Sequence, residues 1–121
     1  CMFSNRFYGK YAVDWSNALT DSGKKRMSLI RTLCAMRHGN PALYSGDTNW
    51  LATDNPEKIL AYTRNSEKQN IFVAINVSNK EASFKNPLAK PVSKEILNRG
   101  ATFLNNGEIS LIPYGYVVFQ Y

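Results

Sequence analysis

The chain has 121 residues, 44% of them hydrophobic and 12% aromatic, with a formal net charge of +6. That much apolar mass excludes a disordered chain, and the length argues one domain or one and a fraction. No stretch approaches the ~20 uninterrupted apolar residues of a membrane span, so no membrane partner is expected.

The 15 cationic side chains are scattered from Arg6 to Arg99, and their only run is Lys24-Lys25-Arg26. A nucleic-acid surface clusters its cations and interleaves them with aromatics on one face. Tyr62 and Arg64 share a face of one segment with little beside them, so no nucleic-acid partner is expected. The chain opens on Cys1 without an apolar leader and is expected to be an excised or truncated piece. Cys1 and Cys34 are its two cysteines and His38 is its single histidine. Zinc needs three or four converging ligands, and a nucleophilic machine needs companions for its histidine. No motif supplies either, so no metal, cofactor or catalytic residue is expected.

In chain order, Phe3, Phe7, Tyr8, Tyr11 and Trp15 read as a loop with anchoring side chains. Ser16, Thr20, Asp21 and Ser22 are N-cap candidates for the helix that follows. From Ser22 to His38, Met27, Ile30, Leu33 and Cys34 fall at helical spacing, with Leu29 and Met36 widening the apolar face. Cys34 is expected to be a small buried hydrophobe on that stripe. Arg37 and His38 suit the helix C-terminus, Gly39 is the expected residue just past the end, and Pro41 forbids continuation.

Past Gly46 the apolar period changes from helical to alternating. Strands are predicted at Lys58–Arg64, Asn70–Ser78, Ala82–Lys85, Lys94–Asn98, Ile109–Ile112 and Tyr116–Tyr121, with a further short one at Ala101–Leu104. Turn signals separate them: Asn65-Ser66, Ser78-Asn79-Lys80, Asn86-Pro87, Asn105-Asn106-Gly107 and Pro113. In Ile71–Val77 the odd positions face one way while Phe72 and Ala74 face the other, so this strand is expected to be covered on both sides near its start. Short strands without intervening helices argue an antiparallel sandwich or barrel preceded by one amphipathic helix. That helix has more apolar face than so small a unit needs. It either lies across the sandwich or belongs to a larger domain.

Exposed aromatics are the sugar-stacking platforms of sandwich domains, and Trp50, Tyr44 and Tyr62 are the candidates here. The competing reading of Trp50 is an anchor at a junction between domains.

The run from Leu33 to Gly46, L-x-x-M-R-x-x-N-P-A-L-x-x-G, resembles the last barrel helix and exit of the α-amylase superfamily, glycoside hydrolase family 13. Val13-Asp14-Trp15 resembles an element after the eighth barrel strand. ILAYTR (Ile59–Arg64), FVAINVSN (Phe72–Asn79), EILNRG (Glu95–Gly100) and ISLIPYGYVVFQY (Ile109–Tyr121) resemble successive strands of the family's C-terminal domain. The likeness covers nearly the whole chain in the right order.

The resemblance implies a Greek-key antiparallel β-sandwich over residues 46–121, preceded by the end of a (β/α)8 barrel in residues 1–45. It implies that the partner is the missing barrel of the same parent chain, docked through Tyr8, Tyr11, Trp15, Met27, Ile30 and Leu33. Retaining chemistry on α-glucosidic bonds needs two carboxyl groups about 5–5.5 Å apart, at the C-terminal face of the barrel strands. In the family these residues lie upstream of anything present here, and no residue of this chain matches them. The implied function is a non-catalytic domain of an enzyme acting on α-glucans such as starch and maltodextrin. The alternative is a free-standing carbohydrate-binding sandwich. Calcium in this family is held elsewhere, so none is expected here.

Overall fold

A computed structural model describes residues 14–121. Tyr8 and Tyr11 therefore lie outside the described residues. The chain divides by its contacts into two compact units, with the boundary between Ala35 and Met36.

The described residues of the first unit are mainly helical. A 3-10 helix at Trp15–Leu19 is capped by Asp14, whose carboxylate accepts the Ser16 N–H at 3.0 Å and the Ser16 hydroxyl at 2.5 Å. These two bonds favour the ionised form and hold Asp14 below the ordinary aspartate value of 3.8. Helix α1 (Asp21–Gly39) follows. Its cap is Thr20, one of the candidates named from sequence: Thr20 Oγ1 accepts the Gly23 N–H at 3.0 Å. Asp21 is not the cap but the acidic residue of the first turn, where the helix dipole favours it. A Cβ on Gly23 would lie 2.0 Å from the Asn17 carbonyl oxygen, so only glycine lets the 3-10 helix and α1 approach this closely.

No residue of α1 is buried. Met27, Ile30 and Leu33 are exposed, and so is Cys34, which was expected inside. The apolar stripe exists: Met36, at its C-terminal end, is partly buried against the cluster of Ala42, Ile71, Val73 and Val118, while Met27, Ile30 and Leu33 stay exposed.

The helix stop also differs from expectation. Gly39 is not a left-handed residue beyond the helix but the last residue within it, and its φ is not positive. Asn40 does the terminating work, its side-chain amide donating to the Met36 carbonyl at 2.7 Å. Pro41 then opens a second helix, α2 (Pro41–Ser45), at a position where a missing N–H costs nothing.

The second unit holds six strands: β1 (Asp47–Leu51), β2 (Ile59–Asn65), β3 (Asn70–Asn76), β4 (Ala82–Lys85), β5 (Lys94–Phe103) and β6 (Glu108–Gln120). All pairings are antiparallel, in the order β1-β2-β3-β6-β4, with β5 also on β6. Strand β6 is long enough to pair with β4 through Glu108–Leu111 and with β3 through Tyr116–Gln120, while β5 runs along both halves. Between those halves Tyr114 adopts φ 55, and β5 carries a bulge opposite at Gly100; a second irregularity, between Glu95 and Leu97, lies opposite Phe119 and Val118. A Cβ on Gly100, whose φ is +73, would meet the Ile112 side chain at 2.1 Å. The two strands turn this corner together, and the sheet folds into a two-layered β-sandwich.

Between the layers lie Ile59, Ala61, Phe72, Ala74, Ala82, Phe84, Ile109, Leu111, Val117 and Phe119. Phe72 and Phe119 stack at 4.8 Å between ring centroids. The opposite face of β3 carries Ile71 and Val73, which pack with Val118 and Ala42 of α2. Both faces of β3 are thus covered near its start, as its composition predicts.

Candidate functional site

The three aromatics singled out in sequence do not form one platform. Trp50 on β1 and Tyr62 on β2 are directly opposite in register, so their rings share one sheet face. Their centroids are 5.1 Å apart and the planes are tilted by 56°. Trp50 remains 66% exposed, whereas Tyr62 is half-buried against the Ala42, Ile71, Val73 and Val118 cluster. A sugar ring stacks face-on to one aromatic plane, so this tilt leaves Trp50 as a single surface and Tyr62 as its support.

Tyr44 belongs to a different place. It is 54% exposed on α2 and lines a surface concavity of ≈ 650 Å³ with Pro41, Ser45, Asp47, Asn65, Ser66, Glu67 and Lys68. Three segments meet here. The antiparallel register sets Asp47 opposite Asn65, and the β2–β3 turn delivers Ser66, Glu67 and Lys68 to the same mouth. The rim thus carries one phenol ring, two carboxylates, one ammonium, one amide and two serine hydroxyls. Sequence reasoning named Tyr44 but missed its neighbours, because strand pairing brings them together from positions about 20 apart. The Asn65-Ser66 turn signal was the only hint of them.

The walls are fixed by polar anchors. Arg64 donates to the Ala42 carbonyl at 3.0 Å, to the Leu43 carbonyl at 3.4 Å and to the Thr48 hydroxyl, pinning α2 to β1 and β2. Gln69 Oε1 accepts the Ala42 N–H at 3.3 Å, and Gln69 Nε2 donates to Asn40 Oδ1 at 2.7 Å. Gln69 therefore caps α2, which Asn40 does not cap with its own side chain. Asn65 uses both ends of its amide. Its Nδ2 donates to Asn70 Oδ1 and to the Tyr121 hydroxyl, each at 2.9 Å, and its Oδ1 accepts from Thr63 and Asn49. The Ser66 N–H donates to the Gln69 carbonyl at 2.9 Å and closes the turn.

The domain-interface candidates are all in the first unit. Trp15, Met27, Ile30 and Leu33 are exposed, Trp15 most of all at 75%. Among the described residues there is no group of three or more His, Cys, Asp or Glu able to hold a metal ion.

Residues 49–118 match the family model of the maltogenic amylase C-terminal domain. The chain belongs to this family. The matched span begins in β1 and ends in β6, so the maltogenic amylase C-terminal domain is the sandwich itself. A cyclomaltodextrinase of Geobacillus thermopakistaniensis (strain MAS1) is 30% identical over 95 residues, which are 74% of this chain and 16% of that protein. A variant of the isomaltulose synthase of Erwinia rhapontici NX5, in complex with D-glucose, superimposes with a TM-score of 0.64 at 26% identity, covering 74% of this chain and 16% of that one. A trehalulose synthase variant superimposes with a TM-score of 0.66 at 22% identity, covering 78% of this chain and 17% of the other, and shows the fold. The chain therefore corresponds to the C-terminal region of α-amylase-family glycoside hydrolases. It spans about one-sixth of the length of the relatives it matches.

Proposed function

We propose that this chain is the non-catalytic C-terminal part of an α-amylase-family enzyme acting on α-glucans such as starch or maltodextrin. The observation that carries the proposal is the maltogenic amylase C-terminal domain match over residues 49–118, in a chain that covers only 16% of its cyclomaltodextrinase relative. In this reading residues 1–45 finish a catalytic barrel and residues 46–121 form the domain that supports it. The carboxylates of glycoside hydrolysis then belong to the rest of the parent protein. Trp15, Met27, Ile30 and Leu33 are exposed apolar side chains on one short helical unit, and this exposure supports their assignment as contacts to the barrel. The test is direct: the 121-residue chain is incubated with maltoheptaose and assayed for reducing ends. The expected result is no release, and sustained turnover by the pure chain overturns the reading.

A second reading, a free-standing carbohydrate-binding sandwich, is favoured by the exposure of Trp50 beside Tyr62. It requires that the Trp50 ring stack on sugar. If calorimetry with maltoheptaose shows no difference between the wild-type chain and Trp50→Ala, that platform is removed from consideration.

A further inference from the structure

We infer that the concavity between α2 and the β2–β3 turn is a surface subsite for a glucosyl unit of an α-glucan, with Tyr44 as its stacking ring and Asp47 and Glu67 as hydroxyl acceptors. The inference rests on the α-glucan reading above and assigns it a place. A pyranose presents a flat C–H face and a rim of hydroxyl groups. The first needs an exposed aromatic ring, and the second needs charged or amide groups around that ring. Tyr44 is the one aromatic lining the concavity and is 54% exposed, while Asp47, Glu67 and Lys68 stand around it. The ≈ 650 Å³ volume lies within the range of small-ligand sites, about 300–1,000 Å³.

The mixed rim decides the class of ligand. Two carboxylates against one ammonium repel a phosphate or another anion. A single aromatic among polar groups offers little to an apolar peptide. A neutral polyol satisfies donors and acceptors of both kinds without leaving a buried charge.

Rigidity supports the assignment. Weak sugar ligands bind where the receptor is already ordered, because ordering it on binding would consume the gain. Here Arg64 and Gln69 fasten α2, and the Ser66–Gln69 bond fastens the turn. Gly46 allows the α2 exit to touch β2, since a Cβ there would lie 2.5 Å from the Ala42 carbonyl oxygen and 2.8 Å from that of Asn65. Trp50 and Tyr62 do not line this concavity, so the two candidate platforms separate experimentally.

The experiment is a titration of the 15N-labelled 121-residue chain with maltoheptaose, followed by amide shifts, with cellohexaose as the β-linked control. Saturable shifts are expected at the amides of 44–47 and 65–68. Tyr44→Ala should weaken binding at least about tenfold, and Tyr44→Phe should retain it, because the ring face and not the hydroxyl makes the contact. Glu67→Gln, on an exposed turn, should weaken it severalfold without disturbing the fold. Trp50→Ala should leave the affinity within about twofold. Shifts centred on Trp50 and Tyr62, or no saturation by about 10 mM maltoheptaose, overturn the subsite. Equal binding of cellohexaose overturns the α-glucan assignment. None of these outcomes touches the non-catalytic reading, which falls only if the chain itself releases reducing sugar.

Discussion

Asn76 is fully buried, at a position where the alternation of β3 calls for an apolar side chain. It faces inward with Phe72 and Ala74, yet it is completely bonded. Its Nδ2 donates to the carbonyls of Lys80 at 2.7 Å, Leu111 at 3.2 Å and Ile112 at 3.1 Å. Its Oδ1 accepts the Ser78 N–H at 3.0 Å and the Ser78 hydroxyl at 2.7 Å. One amide thereby ties the β3–β4 turn to the point where β6 leaves one layer for the other. A buried polar group of this kind is costly only when its partners are removed. Asn76→Ala strands buried carbonyls and should destabilise the sandwich by about 3 kcal/mol in urea unfolding followed by circular dichroism. Asn76→Asp should cost at least as much, since a carboxylate cannot donate to three carbonyls. A loss below about 0.5 kcal/mol for the alanine variant would contradict this account. Only the bonds to Ser78 and Lys80 are local; the tie to β6 is not announced by nearby sequence, because those partners lie 35 and 36 residues away.

At the level of elements, α2 shows how much the fold depends on contacts beyond local propensity. Five residues cannot hold a helix in water. This one persists because Ala42 is buried against Ile71, Val73 and Val118, and because Arg64 and Gln69 occupy its backbone groups. Gly46→Ala pushes a methyl group into two carbonyl oxygens and should destabilise by about 1–3 kcal/mol. The sharper readout is hydrogen exchange: amides of 42–46 should lose protection while those of β3 keep theirs, and a uniform loss would show that α2 is not a separate unit. The same dependence explains what was legible. Strand β4 follows from alternation, with Ala82 and Phe84 buried and Ser83 and Lys85 exposed, while β2 and β3 follow from apolar runs that serve a covered surface on each side. Strand β1 was missed because DTNWL exposes four of its five residues and has no buried face to leave a pattern. Pro113 reads as a break between short strands, and Gly100 falls in the gap between the predicted Lys94–Asn98 and Ala101–Leu104. They are bends within the long β5 and β6, where pairing resumes on the far side. The groove beside Tyr44 was equally hidden, because Asp47 and Glu67 meet only through the β1–β2 register.

For the whole molecule, the two units contrast in how they spend their apolar residues. The second builds a closed core around Phe72, Phe84 and Phe119. The first holds all but the last four residues of α1, none of them buried, and leaves Trp15, Leu19, Met27, Ile30 and Leu33 exposed. A stripe at helical spacing was legible in the sequence, but its partner was not, because periodicity reports that a face is apolar and not what covers it. An exposed helix face of this size has a physical consequence that depends on context. In the 121-residue chain, Ile30→Lys with Leu33→Lys removes no buried contact and should leave the unfolding free energy of the sandwich within about 0.5 kcal/mol of wild type. In the longer protein proposed here the same two side chains would be enclosed by the barrel. Losing two buried aliphatic groups and enclosing two charges would then cost about 4 kcal/mol or more. Parallel thermal unfolding of the two proteins measures the difference. An equal, negligible effect in both would mean that this face meets water in the parent as well, and that α1 is not the seam on which the barrel closes.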